Sequence, residues 1–306
     1  MSLSRFALLG VVVVIVLLTG CQNEGPPVDS RIVFVTIEPQ AFLVDRIAGD
    51  LVDVQVMVPP GQPPETYEPS PSQVTELSKA RIYFSVDVPF EKSFLGRVRK
   101  NVPHLQIVDT TQGIDKREIE EHSHGEEEDH GHEHAHDHGL LDPHVWLDPT
   151  LMVKIAKQMT ETLGETFPES KEAFEANHLS LEKDLRALDE RITEMFEPYW
   201  GRSMFVFHPA YGYFCDRYGL IQVPVESAGK EPNSKAFVQL IEKAKEEGVS
   251  SLFVQPQFSS STVKILADEI GAEVVRIDPL KRDYLNNLGD IAERIAASFK
   301  SQTTEG

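Results

Sequence analysis

The chain has 306 residues and sets 49 Asp and Glu against 29 Lys and Arg, for a formal net charge of −20. That balance excludes a phosphate-seeking surface, and with it a nucleic-acid partner, and it suits a soluble surface that attracts cations. With 41% hydrophobic residues and only 2 cysteines, the chain has ample apolar material for a core and no disulfide framework to replace one.

The N-terminal residues 1–20 carry one cation, Arg5, followed by an apolar run from Phe6 to Leu18, about 13 residues long. A membrane span needs nearer ~20, so the run reads as an export signal; an uncleaved anchor is the alternative. It closes on Leu18-Thr19-Gly20-Cys21, which resembles the lipobox of bacterial lipoproteins. That resemblance implies cleavage before Cys21, lipidation of Cys21, and a mature chain held on the extracytoplasmic side of a membrane, in the periplasm or at the cell surface. Cys215 is then left without a partner, and residues 21–30 form a polar, Gly/Pro-bearing tether.

Beyond the tether, short β-branched runs alternate with amphipathic ones. "RIVFVTI", "VDVQVMV", "RIYFSV" and "LQIVD" predict buried strands, with helices near 40–49, 71–80 and 89–100 between them. The pattern returns after residue 200 in "SMFVFH", "LIQVPV", "SSLFVQ" and "AEVVRID", with helices near 209–218, 233–247 and 260–270. Such alternation predicts an α/β fold of two Rossmann-like lobes with parallel sheets, spanning 31–167 and 199–306.

Residues 168–198 join the lobes. Phe174, His178, Leu181, Leu185, Leu188, Ile192 and Met195 step by four and three, which places them on one face of a single long helix between Pro168 and Pro198. A coiled-coil partner is one reading of that face. A rigid connector with His178 at its interface, and not a ligand, is the more economical one, and it limits the lobes to modest tilting.

Binding groups in open α/β sheets gather beyond the carboxyl ends of the strands. Glu65 follows the second strand run, His144 precedes a helix opened by Asp148 and Pro149, His208 ends "MFVF" and Asp278 ends "EVVRI". Taken singly, Glu65 is an ordinary loop acid, Asp278 a turn residue, His208 a helix cap and His144 a packing partner of Trp146. Their coincidence at strand ends in both halves makes them metal-ligand candidates.

A second group of histidines is different in kind. His122, His124, His130, His132, His134, His136 and His138, with six carboxylates between the first and the last, lie in the segment 118–139, which has no apolar periodicity and carries Gly125, Gly131 and Gly139. It reads as a mobile low-affinity metal collector or sensor; the alternatives are a fortuitous low-complexity loop and a copper or nickel scavenger.

The runs "PPGQPPETYEPSPSQV", "DPHVWLDP", "FVFHPAYGYFCDRYGL", "LFVQPQFSSSTVKILADEIGAEV" and "RIDPL" resemble the successive motifs of the metal-binding lipoproteins that serve zinc and manganese ABC importers. The resemblance extends from about residue 30 to 300. It implies two α/β lobes on a long rigid helix, one cation between them, and delivery to a cognate permease with its ATPase. It also implies His144, His208 and Asp278 as ligands, with Glu65 standing where the family has a histidine. Zinc accepts two His and two carboxylates, but by ligand count alone that set leans toward manganese, whereas the His-rich segment resembles the zinc-specific branch and imidazole favours zinc. Zn²⁺ is therefore the expected cargo, with Mn²⁺ (or iron) as the runner-up.

Within the loop Glu226 to Lys235, Glu226 or Glu231 is expected to orient a ligand histidine, and Phe207, Tyr211 and Trp146 to exclude water. Affinity is expected to fall as pH drops through about 6.5, the ordinary histidine value. A zinc hydrolase is disfavoured, since a nucleophile elbow and a phosphate-cradling loop are missing from the sequence, and the HExxH spacing occurs only as His132 to His136 inside the low-complexity histidine run. A metal-regulated adhesin would share the lipobox. The expectation is a monomeric capture protein that performs no chemistry on its cargo.

Overall fold

A computed structural model describes residues 30–119, 141–226, 232–258 and 261–304. The export signal, Cys21, the seven clustered histidines from His122 to His138 and Glu231 lie outside the described residues.

The N-terminal lobe runs β1 (Ile32–Val35), α1 (Glu38–Ala48), β2 (Asp53–Val56), α2 (Pro71–Leu77), β3 (Ile82–Ser85), α3 (Pro89–Asn101) and β4 (Gln106–Asp109). Then come α4 (Pro149–Thr166) and the long α5 (Lys171–Phe196). The C-terminal lobe follows as β5 (Ser203–Val206), α6 (Gly212–Tyr218), β6 (Ile221–Pro224), α7 (Ser234–Glu246), β7 (Ser251–Val254), α8 (Ser261–Ile270), β8 (Glu273–Arg276) and α9 (Tyr284–Thr304).

Both sheets are parallel and share one topology, β2-β1-β3-β4 and β6-β5-β7-β8. The strand order reverses between β1 and β3 and between β5 and β7, and there the carboxyl ends open a crevice. His208 lies two residues past β5 and Gln255 directly past β7, at the switch point of the second sheet. The matching point of the first sheet is filled by a buried polar cluster. Glu91 takes hydrogen bonds from Thr36, from Tyr83 Oη at 3.3 Å and from the amides of Val86 and Val88.

The connecting helix α5 covers 26 residues, about 39 Å at ~1.5 Å per residue. The 3-10 turns Pro168–Ser170 and Glu197–Tyr199 flank it, each containing the proline that marked its end in the sequence. Phe174, Leu181, Leu185, Leu188 and Ile192 are buried as the periodicity predicts, and half-buried His178 has Glu182 3.7 Å away and no metal-ligating cluster among the described residues.

The helix α9, which sequence reading did not anticipate, packs along α5. One apolar cluster accordingly runs from Val33, Val35 and Phe84 through α1, α4 and α5 to Met204, Val206 and Phe299. Separate clusters fill the outer faces, under α2 and α3 in one lobe and α7 and α8 in the other. A core shared through a continuous helix resists wide hinge opening, because opening would expose close-packed apolar surface.

Candidate metal centre

Each donor is set by local chain chemistry. Glu65 sits in a 3-10 turn, Pro64–Thr66, in the loop after β2. Gln73 in the first turn of α2 fastens that loop, donating to Met57 O at 2.7 Å while accepting from Tyr67 Oη at 2.7 Å and from Ser70 N at 2.9 Å. His144 sits between an Asp-Pro turn and the 3-10 turn Val145–Leu147. Asp148 then caps α4 by accepting from Thr150 N at 2.7 Å, with Pro149 in the first turn. His208 is held by its carbonyl, which accepts from Ala210 N at 2.8 Å and from Gln255 Nε2 at 3.0 Å.

These segments bring Glu65, His144 and His208 together at the cleft. Glu65 Oε1 stands 3.2 Å from His144 Nε2 and 3.4 Å from His208 Nε2, and the two Nε2 atoms are 3.4 Å apart. Ligands ~2.0–2.1 Å from a tetrahedral zinc ion stand about 3.3–3.4 Å from one another, so the triangle already has the edge length of one face of such a site. The void beside it measures about 10 Å³, room for a single ion-sized or water-sized centre.

Behind each imidazole stands a carboxylate. Asp142, fully buried, accepts from His144 Nδ1 at 2.7 Å and from the His144 amide at 2.9 Å. Glu226, two residues past β6, pairs with His208 Nδ1. Both rings are thereby fixed with Nε2 toward the cleft, the arrangement that orients metal-ligating histidines. Of the two acids expected to orient a ligand histidine, Glu226 is paired with His208 and Glu231 lies outside the described residues. Asp142 escaped sequence reading, although its signal was present as an acid two residues ahead of the ligand in "DPH".

Burial alone would lower the His144 pKa, but the Asp142 charge and hydrogen bond, joined by Glu65, outweigh it and place the group at about 9. His208 is likewise raised, burial being overcome by Glu226 and Glu65. For Glu65, burial is outweighed by the hydrogen bonds and charges of the two histidines, and its carboxyl is held far below the usual range. Both imidazoles are thus raised toward their cationic forms beside a carboxylate lowered toward its anionic form. Among the described residues, Glu65 Oε2 and Gln255 Oε1 are buried acceptors with no hydrogen-bond donor, as suits a site built for a cation.

Asp278 is not drawn into the triangle. Its Oδ1 accepts from Gln257 Nε2 at 3.0 Å and from Leu280 N at 3.1 Å, on the wall of the same pocket formed by Gln257, Pro279 and Leu280. Of the expected shielding residues, Trp146 lines the pocket with its ring centroid 5.2 Å from that of His144. Tyr211 is fully buried, and Phe207 packs instead on Phe258 at 5.8 Å. It is Phe258, missed in the sequence, that stacks on His208, with ring centroids 4.7 Å apart.

Fold and site together define a two-lobed α/β binding protein whose cleft is shaped for one cation. The chain belongs to the family of the periplasmic zinc-uptake complex component A, whose model matches residues 33–298. It is 30% identical over 261 residues to the high-affinity zinc uptake system protein ZnuA of Bacillus subtilis, covering 83% of this chain and 79% of that one. It is 27% identical over 293 residues to ZnuA of Yersinia pestis, covering 89% and 92%. A crystal structure of ZnuA superposes with a TM-score of 0.80 at 34% identity, covering 88% of this chain and 99% of that one. A 138–173 deletion mutant of ZnuA with zinc bound superposes at 0.79, also at 34% identity, covering 88% and 98%.

Proposed function

We propose that this chain is the extracytoplasmic capture protein of a zinc ABC importer, binding one Zn²⁺ through Glu65, His144 and His208 and passing it to the permease. The observation that carries the reading is the buried triangle of two imidazole nitrogens and one carboxylate oxygen with edges of 3.2–3.4 Å. Asp278 is the proposed fourth ligand, recruited from Gln257. Two imidazoles favour zinc over manganese in the usual affinity order. Proteins of this family work with a membrane permease and its ATPase.

A carrier is favoured over a zinc hydrolase by the zinc-uptake proteins to which the chain is similar. Capture then consists of exchanging the proton between the ligands for the ion, while Asp142 and Glu226 keep the imidazoles aimed. The proposed setting is a monomer anchored by lipid on Cys21, with the histidines from His122 to His138 as an accessory collector. Among the described residues no helix is long and apolar enough to cross a membrane.

The test is zinc titration of chain lacking residues 120–139, with and without His208→Ala. One tight equivalent, abolished by the substitution, is expected. A deletion protein with no tight site would overturn the assignment of the cleft.

A further inference from the structure

The described residues at the two edges of the histidine-rich segment form a short stem. Glu118 and Leu141 make an antiparallel bridge, and Asp142 N donates to Arg117 O at 2.9 Å. At the next position the two strands of the stem are joined by a side chain from the other lobe. Tyr213 Oη, on α6, accepts from Arg117 N at 3.2 Å and donates to Asp142 O at 3.0 Å. The Arg117 guanidinium lies across the same helix, with Nε 2.9 Å from Asp216 Oδ2 and Nη1 3.4 Å from Asp142 Oδ2.

Gly212 makes this approach possible. A Cβ there would lie 1.4 Å from Arg117 Nη1 and 2.8 Å from Asp142 Oδ2. Asp142 is therefore gripped on three sides: through its carbonyl by Tyr213, through one carboxylate oxygen by Arg117, and through the other by the His144 ring and amide.

We propose that Tyr213 and Arg117 form an interlobe clasp that positions His144 against His208 by fixing Asp142. The clasp rests on the reading of the cleft as a zinc site. Its action is geometric: α6 and His208 belong to one lobe, and the clasp ties the other lobe's histidine to that same frame. Neither residue touches the ion; they act through Asp142. A preorganised pair of imidazoles releases the ion more slowly than a pair free to separate, because ligand orientation is already fixed before binding.

Tyr213→Phe tests this without changing charge. Zinc dissociation into excess chelator, followed by stopped flow, is expected to quicken about threefold to tenfold, less than the ~10–100-fold typical of removing a carboxylate that contacts the ligand itself. Arg117→Gln combined with Asp216→Asn, which leaves net charge unaltered, should quicken it similarly. In an Asp142→Asn background Tyr213→Phe should add less than about twofold, since the route is already cut.

Wild-type dissociation rates in both folded variants would overturn the clasp. So would an undiminished effect in the Asp142→Asn background, which a merely stabilising role would give. If wild-type chain lacking residues 120–139 shows no tight zinc at all, the zinc reading fails instead, so the two failures are distinguishable.

Discussion

The pH dependence of zinc capture follows from the proton held between the ligands. With His144 at about 9 in the metal-free protein, only about one molecule in a hundred carries it neutral at pH 7. Zinc must displace that proton, so conditional affinity should rise roughly tenfold per pH unit through the neutral range, and more steeply where His208, also raised, contributes. Structure thus moves the expected window upward from 6.5, because Asp142 and Glu65 hold the imidazolium in place.

The same shift bears on stability of the metal-free fold. A raised histidine contributes stability that is fully present below about 6.5 and is lost as pH rises through about 9, here on the order of 3 kcal/mol. Calorimetry at pH 7 in two buffers of different ionisation enthalpy should count one to two protons released per zinc, and chelator competition between pH 6 and 9 should give the slope. A slope confined to below pH 6.5, with no proton released at pH 7.5, would refute the reasoning.

Other outcomes can be checked alongside. Glu65→His should shift the Zn²⁺ over Mn²⁺ preference by about tenfold toward zinc, measured by competition, since it replaces a hard oxygen with a third imidazole. Asp278→Asn should weaken zinc binding about 10–100-fold; unchanged affinity would leave the fourth position to water. Removing residues 120–139, which spares the Glu118 bridge to Leu141, should eliminate several weak zinc equivalents in titration and keep the tight one. Burial, only partly offset by Thr36 and the Val88 and Val86 amides, raises Glu91 to about 7. An acid so raised favours the folded state below its ordinary value of 4.5 and costs stability as pH climbs through 7, by roughly 3 kcal/mol. Denaturant unfolding of Glu91→Gln should lack that decline.

The residues that sequence alone picked out are those whose chemistry is written locally. Alternating β-branched runs specified two parallel sheets, and the four-three spacing from Phe174 to Ile192 specified α5, because burial on one face imposes a period the chain itself displays. Glu65, His144 and His208 were legible as donors at the ends of strands or at turn signals. Their company was not. Asp142, Glu226 and Phe258 owe their roles to contacts with rings 2, 18 and 50 residues away in the chain, and only folding fixes those distances.

Asp278 shows the limit from the other side. Its sequence position matches a ligand, yet in the folded chain its carboxylate is engaged by Gln257 and Leu280. The run from His122 to His138, the most conspicuous feature of the sequence, lies outside the described residues. What the sequence by itself determined is the supply of donors and the parallel sheets that carry them. Tertiary structure decided which three meet, at 3.2–3.4 Å, because that depends on two lobes being brought face to face.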